Sequence, residues 1–75
     1  MTLIDLDPSQ VGIIENLNGD SKFKTRLMEM GFSIGIKVRL INKMPFSGPI
    51  TIRIRNGMLS LRKIDASKIK IKLDG

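Results

Sequence analysis

The sequence predicts a mainly β fold: a small closed or nearly closed barrel of about five short strands, with one short α-helix and one helical turn. Two observations predict it. Short stretches of alternating apolar and polar residues recur along the chain, and one of the intervening turns has the sequence of a tight β-hairpin. The chain has 75 residues, 41% of them hydrophobic and 27% charged, which is the composition of a folded chain with one core. Residues 1–75 are therefore predicted to form one domain.

The first predicted strand, Val11 to Leu17, is followed by a short helix. The segment Asn18 to Ser21 interrupts the strand pattern, and Asp20 or Ser21 can cap the free amides of a following helix. Gly31 can end that helix in the left-handed conformation.

Within the helix, three apolar residues fall on one stripe. Phe23, Leu27 and Met30 stand at i, i+4 and i+7, so we expect this face to be buried. Met28 lies off the stripe and is a surplus apolar residue. Arg26 stands at the margin of the stripe and is expected to reach outward.

The second predicted strand, Ile36 to Met44, ends at a rigid turn, Pro45 to Pro49. Cationic residues alternate with apolar ones in this strand: Lys37, Arg39 and Lys43 against Val38 and Leu40. Phe46 stands at the tip of the proline-bounded turn.

The next two strands, Ile50 to Arg55 and Met58 to Arg62, flank Asn56-Gly57, the dipeptide that suits a two-residue type I′ hairpin. A two-residue loop places Ile54 opposite Leu59. It also gathers the apolar residues Ile52, Ile54, Leu59 and Leu61 on one face, and Arg53, Arg55 and Ser60 on the other.

The chain closes with a helical turn and a last strand. Asp65 to Lys68 is predicted to form one turn capped by Asp65. In the last strand, apolar residues alternate with lysines: Ile69, Ile71 and Leu73 against Lys68, Lys70 and Lys72.

Composition argues against an enzyme. There is no histidine and no cysteine, so the commonest general base and the commonest nitrogen and sulfur ligands are missing. The carboxylates are scattered, and the one close pair, Asp5 and Asp7, reads as turn formers before Pro8. We expect no catalytic residues, no cofactor and no metal site. Gly31 to Gly35 lacks the Gly-Lys-Ser/Thr of a phosphate loop and reads as a helix cap and turn.

The charge balance indicates an acidic partner. Thirteen Lys+Arg against seven Asp+Glu give a net charge of +6. Six cations occupy alternating polar positions of the strands: Lys37, Arg39, Arg53, Arg55, Lys70 and Lys72. They either solvate the barrel exterior or form a patch for an acidic partner. We see no signal peptide and no apolar run near the roughly 20 residues that span a bilayer, and the absence of cysteine fits the cytoplasm.

The order and spacing of these elements resemble the FeoA family, from about Leu6 to Leu73. The segments that carry the resemblance are Val11-Gly12-Ile13-Ile14, Arg26-Leu27-Met28-Glu29-Met30-Gly31-Phe32, Gly35-Ile36-Lys37-Val38, Pro45-Phe46-Ser47-Gly48-Pro49-Ile50, Leu59-Ser60-Leu61-Arg62, and Asp65-Ala66 with Ile69. The chain departs from the family in two turns, since Ser9 stands where glycine often follows Pro8, and Ile34 where proline often precedes Gly35.

The resemblance implies an SH3-like β-barrel and a cytoplasmic, non-enzymatic accessory protein of bacterial ferrous iron uptake. Its implied partner is the cytoplasmic part of FeoB, the membrane permease with an N-terminal G domain, and it would meet the membrane only through that partner. Residues expected to touch the partner are Arg26, Met28, Phe46, Arg53 and Arg55.

Two alternatives stay open. One is a small basic barrel that binds nucleic acid, although the strands carry no aromatic residue on which bases would stack. The other is a metal-linked regulatory domain like the C-terminal domain of iron-dependent repressors, against which the lack of His and Cys argues.

Overall fold

A computed structural model, which describes residues 1–55 and 57–74, contains one five-stranded antiparallel sheet. Its elements in chain order are a 3₁₀ turn at Leu3–Asp5, β1 Val11–Leu17, α1 Ser21–Glu29, β2 Lys37–Lys43, β3 Ile50–Ile54, β4 Gly57–Leu61, α2 Lys63–Ala66 and β5 Ile69–Leu73. The strand order is β4-β3-β2-β1-β5. The first four strands thus follow one another as a meander, and β5 returns to lie beside β1.

The sheet wraps around one apolar core. Its buried members come from every strand, from α1 and α2, and from the segments between them: Leu3, Leu6, Ile14, Leu17, Phe23, Leu27, Phe32, Val38, Leu40, Ile50, Ile52, Ile54, Leu61, Ala66, Ile69 and Ile71. Within the described residues, no polar or charged side chain is buried. The fold therefore depends on apolar burial, with its charges left on the surface.

Helix α1 begins and ends as its sequence predicts. The Asp20 carboxylate accepts a hydrogen bond from the Phe23 amide at 2.8 Å. At the other end Gly31 adopts φ 104°, and the Phe32 amide donates to the Leu27 carbonyl at 3.0 Å, which is a Schellman cap. The prediction for Met30 is wrong: its side chain is 39% exposed. The cap turns the chain back, so that Phe32 enters the core instead.

The structure corrects the register of the β3–β4 hairpin. Ile54 pairs with Gly57, not with Leu59, a shift of two residues. Gly57 therefore begins β4, while Arg55 in the turn takes a positive φ of 39°. Asn56, the other half of the predicted turn dipeptide, lies outside the described residues. Because a shift of two residues preserves the alternation of side chains, both strands keep the predicted faces.

A β-bulge changes the orientation of the second half of β2. The register shifts between Leu40 and Asn42, which leaves Ile41 as an extra residue. Lys43, predicted to share a face with the earlier cations of this strand, therefore lies beside Ile50. Its ammonium turns to the N-terminal segment and donates to the Ile4 carbonyl at 2.6 Å.

The N-terminal segment and α2 also differ from expectation. The 3₁₀ turn is not predicted by any periodicity, yet the residues before β1 pair with the outer edge of β5, where Ile71 donates its amide to the Met1 carbonyl at 2.9 Å. Helix α2 begins at Lys63, so Asp65 lies in its first turn and not at its cap. None of the helices in the described parts of the chain has the length and apolar character needed to cross a membrane.

Candidate partner-binding surface

The outer face of the sheet is cationic across neighbouring strands. Strand β1 lies between β2 and β5, and its Ile13 pairs with Lys37 on one side and Lys72 on the other. In the next row, Val11 pairs with Arg39, which in turn pairs with Arg53. The exposed cations on this face or next to it are Lys37, Arg39, Arg53, Arg55, Lys70 and Lys72.

Four of these cations converge on a groove of about 260 Å³ over β1, β2 and β3. We call it the basic groove; its lining residues are Val11, Lys37, Arg39, Arg53, Arg55 and Asp74. Arg39 and Arg53 are direct cross-strand partners, an arrangement in which like charges repel. The one carboxylate, that of Asp74, lies 3.2 Å from the Lys37 ammonium nitrogen. The basic groove therefore carries an excess of positive charge.

Two of the predicted contact residues lie on α1, in separate places. Met28 is 60% exposed and lines an apolar hollow with Ile34 and Leu17. Arg26 lies outside that hollow and lines another one with Lys22 and Glu29. Both side chains are therefore exposed, as predicted: Met28 lies off the buried stripe of α1, and Arg26 reaches outward.

Phe46 is the most exposed of the large apolar residues in the described part of the chain, at 97%. It stands in the turn between β2 and β3 with φ 56°, followed by Ser47 with φ 65°. The Gly48 amide donates to the Pro45 carbonyl at 3.1 Å and closes the turn. Two successive positive φ angles with this hydrogen bond are the pattern of a type I′ turn, which holds the ring away from the core.

The structure brings together Arg53 and Arg55 in the basic groove. Neither Met28 nor Phe46 lines that groove. The turn that carries Phe46 follows the end of β2, whereas the connection from α1, the helix of Met28, leads into the start of β2. Sequence reasoning named Lys37 and Arg39 as members of a possible cationic patch but not among the residues expected to touch the partner, and it missed Asp74 and the groove as a unit. The alternation of β2 places its cations outward, but their proximity to those of β3 follows from the register of the two strands.

Within residues 1–55 and 57–74, no three side chains of the types His, Cys, Asp and Glu are grouped so that they could hold a metal ion. The arrangement supplies cations and exposed apolar residues, which are groups suited to binding another macromolecule.

Known proteins resemble this chain over nearly its whole length. A family model described as FeoA domain matches residues 1–73. The chain is 33% identical over 73 residues to the Fe(2+) transport protein A/Fe(2+) transporter FeoB fusion protein of Porphyromonas gingivalis. That match covers 97% of this chain and 9% of the fusion protein, so the chain spans only a small part of that relative.

Two solved structures show the same fold. The solution structure of iron(II) transport protein A from Clostridium thermocellum has a TM-score of 0.90 at 29% identity, covering 97% of this chain and 45% of that one. FeoA of Stenotrophomonas maltophilia, solved with zinc and described as a procaryotic SH3 domain protein, has a TM-score of 0.78 at 25% identity, covering 96% and 89%. The predicted SH3-like fold class is thereby confirmed.

Proposed function

Because this chain belongs to the FeoA family, we propose that it is a non-enzymatic, cytoplasmic accessory protein of ferrous iron uptake that binds the cytoplasmic part of FeoB. The observation that carries this proposal is the fusion in Porphyromonas gingivalis, whose name joins an Fe(2+) transport protein A with the transporter FeoB in one chain. Fusing two modules holds each at a high effective concentration near the other, which benefits modules that act together. A separate chain of the same family would reach the same partner by association.

The non-enzymatic part of the proposal is supported by the side chains. The sequence contains neither histidine nor cysteine. In the described residues the charged groups lie at the surface, not in a pocket from which water is excluded. Such a pocket is what most enzymes build around their reacting groups. The surface offers a binding role instead.

Direct binding to the isolated cytoplasmic domain of FeoB tests the proposal. The full chain is titrated into that domain, loaded in turn with GDP and with a non-hydrolysable GTP analogue, and heat is measured by calorimetry. We expect saturable binding in at least one nucleotide state. Absence of binding in every state would contradict the proposed function.

We further predict that Met28 and Phe46 contribute apolar contacts to this complex. Changing both to Ser should weaken FeoB binding by about tenfold, because exposed apolar anchors carry much of an interface's energy. Folding should be unchanged, since both side chains are already exposed. Met58→Ser is the matched control, because Met58 is an exposed methionine on β4. If the double variant binds like the parent, the docking surface lies elsewhere.

A second candidate, nucleic-acid binding, is favoured by the cationic outer face alone. Phe23 and Phe32 are buried in the core, so bases cannot stack on them. Phe46 is exposed, but it lies in the turn after β2 and not on a strand of the cationic face. Binding to a generic oligonucleotide should therefore be weak and fall steeply with salt. Tight binding that persists at high salt would favour this candidate over FeoB.

A further inference from the structure

We propose that the basic groove binds a carboxylate-rich segment of the partner protein, with Arg39 and Arg53 as the residues that grip it. The inference deepens the proposed function and rests on it where the partner is FeoB. The chemistry of the groove itself can be tested without FeoB.

The register of β2 and β3 places two positive charges side by side. Arg39 lies directly opposite Arg53, and Arg55 follows Ile54, whose partner on β2 is Val38. Opposite charges across a ladder stabilise a sheet, and like charges in the same positions destabilise it. A carboxylate placed between the two guanidinium groups would turn this repulsion into two attractions.

Arg39 is held in place before any partner arrives. Its guanidinium donates a hydrogen bond to the Ser9 carbonyl at 3.1 Å. Ser9 is itself tied to β2, since its amide donates to the Leu40 carbonyl at 2.8 Å. A guanidinium fork fixed in this way loses less conformational freedom when it binds, and its remaining donors match the geometry of a carboxylate.

The chain supplies its own evidence that a carboxylate fits here. Asp74 lines the basic groove, and its carboxylate contacts the Lys37 ammonium. The Asp74 amide donates to the Val11 carbonyl at 3.0 Å, which places this residue at the edge of the groove beside β1. Asp74 thus occupies the Lys37 end, while Arg39 and Arg53 make no ion pair within the described residues.

The size and lining of the groove favour a protein segment over a nucleic acid. Its four cations line a groove of about 260 Å³ over three strands, a size that suits a few neighbouring carboxylates. Its lining contains no aromatic side chain, whereas proteins that bind single-stranded nucleic acid combine a basic track with aromatic stacking.

Binding of a labelled peptide tests the groove. The probe is a fluorescent peptide with four consecutive glutamates, compared with the same peptide carrying glutamines, and affinity is measured by fluorescence anisotropy at low and high salt. We expect Arg39→Gln with Arg53→Gln to weaken binding of the acidic peptide at least about tenfold. Arg55 is left unchanged, because its positive φ would mix an effect on the turn with the effect of charge.

A control and a gain-of-affinity variant sharpen the test. Lys22→Gln with Lys63→Gln removes the same charge outside the groove, whose lining contains neither residue, and should change affinity far less. Asp74→Asn removes the competing carboxylate and should strengthen binding, by about two- to fivefold. The thermal unfolding midpoint of the Arg39/Arg53 variant should change little, because the loss of a repulsion offsets the loss of the exposed hydrogen bond from Arg39 to the Ser9 carbonyl.

Equal binding of the glutamine peptide, or equal losses in the two double variants, would overturn the proposal. It would also be overturned by tighter arginine-dependent binding of an oligonucleotide or of vesicles with anionic lipid. If FeoB binds the parent and the Arg39/Arg53 variant equally, the groove proposal is overturned and the proposed function stands. If the acidic peptide binds through these arginines but FeoB does not bind at all, the groove is supported and the proposed function fails.

Discussion

At the scale of single residues, backbone strain is concentrated in the turns. Among residues 1–55 and 57–74, four residues other than glycine have positive φ: Ser9 at 75°, Phe46 at 56°, Ser47 at 65° and Arg55 at 39°. For an L-residue this conformation brings Cβ close to the neighbouring carbonyl and costs about 1–2 kcal/mol. Ser9 therefore carries a conformational cost that glycine at this position would not.

Replacing Ser9 with Gly should stabilise the fold by about 1 kcal/mol, because glycine takes φ 75° without a Cβ clash. For a domain of this size, that corresponds to a rise of roughly 4–8 °C in the unfolding midpoint. Ser9→Ala serves as the control, since it removes the hydroxyl and keeps the strain. A Ser9→Gly midpoint equal to that of Ser9→Ala would show that this turn is not strained.

At the scale of the elements, two glycines, both predicted to end or turn an element, lie in different structures. Gly31 ends α1 at φ 104°, and a Cβ added there would approach the Ile54 Cδ1 atom to 3.3 Å. Gly57 begins β4, and an added Cβ would meet no atom within 4 Å. The helix cap therefore requires glycine at position 31, whereas the start of β4 has room for a side chain at position 57.

We therefore predict that Gly31→Ala destabilises the protein by about 1–2 kcal/mol, while Gly57→Ala changes its stability by less than about 0.5 kcal/mol. Urea unfolding followed by circular dichroism measures both. A loss at Gly57 as large as that at Gly31 would restore the predicted Asn56-Gly57 turn and contradict the observed register.

The sequence predicts local structure well and pairing poorly. The cap at Asp20 and the faces of β3 and β4 depend on near neighbours, so spacing alone indicates them. Register is different, because a shift of two residues in the hairpin changes every partner without changing a face. The bulge at Ile41 coincides with a break in the alternation, since Leu40 and Ile41 are neighbouring apolar residues, but such a break does not by itself specify a bulge. The basic groove depends on which strands are adjacent, and that is fixed by the whole fold.

At the scale of the whole molecule, the N-terminal segment completes the core. Leu3 and Leu6 are fully buried, and the segment lies along β5 through the hydrogen bond from Ile71 to Met1 and the bridge between Thr2 and Lys70. No periodic pattern marks these residues in the sequence, since a single 3₁₀ turn is too short to show one. Their burial nevertheless joins the two ends of the described chain.

Leu3→Ala should lower the free energy of unfolding by about 2–5 kcal/mol, because it leaves a cavity in a small core. Ile34→Ala is the control, since Ile34 is exposed and its truncation removes few contacts. Denaturant unfolding of both variants gives the comparison. Equal midpoints would show that the N-terminal segment is not packed into the core.

Strand β4 pairs only with β3 in the described residues, so one row of its backbone amides and carbonyls has no strand beside it. Such an edge is a template on which a second molecule can add its own edge strand. The net charge of +6 opposes that approach in dilute buffer, but the Debye length falls from about 10 Å at 0.1 M salt to about 3 Å at 1 M. Concentrated stocks kept in high salt should therefore form soluble oligomers and then precipitate sooner than stocks kept in low salt, with the growth in particle size visible by light scattering.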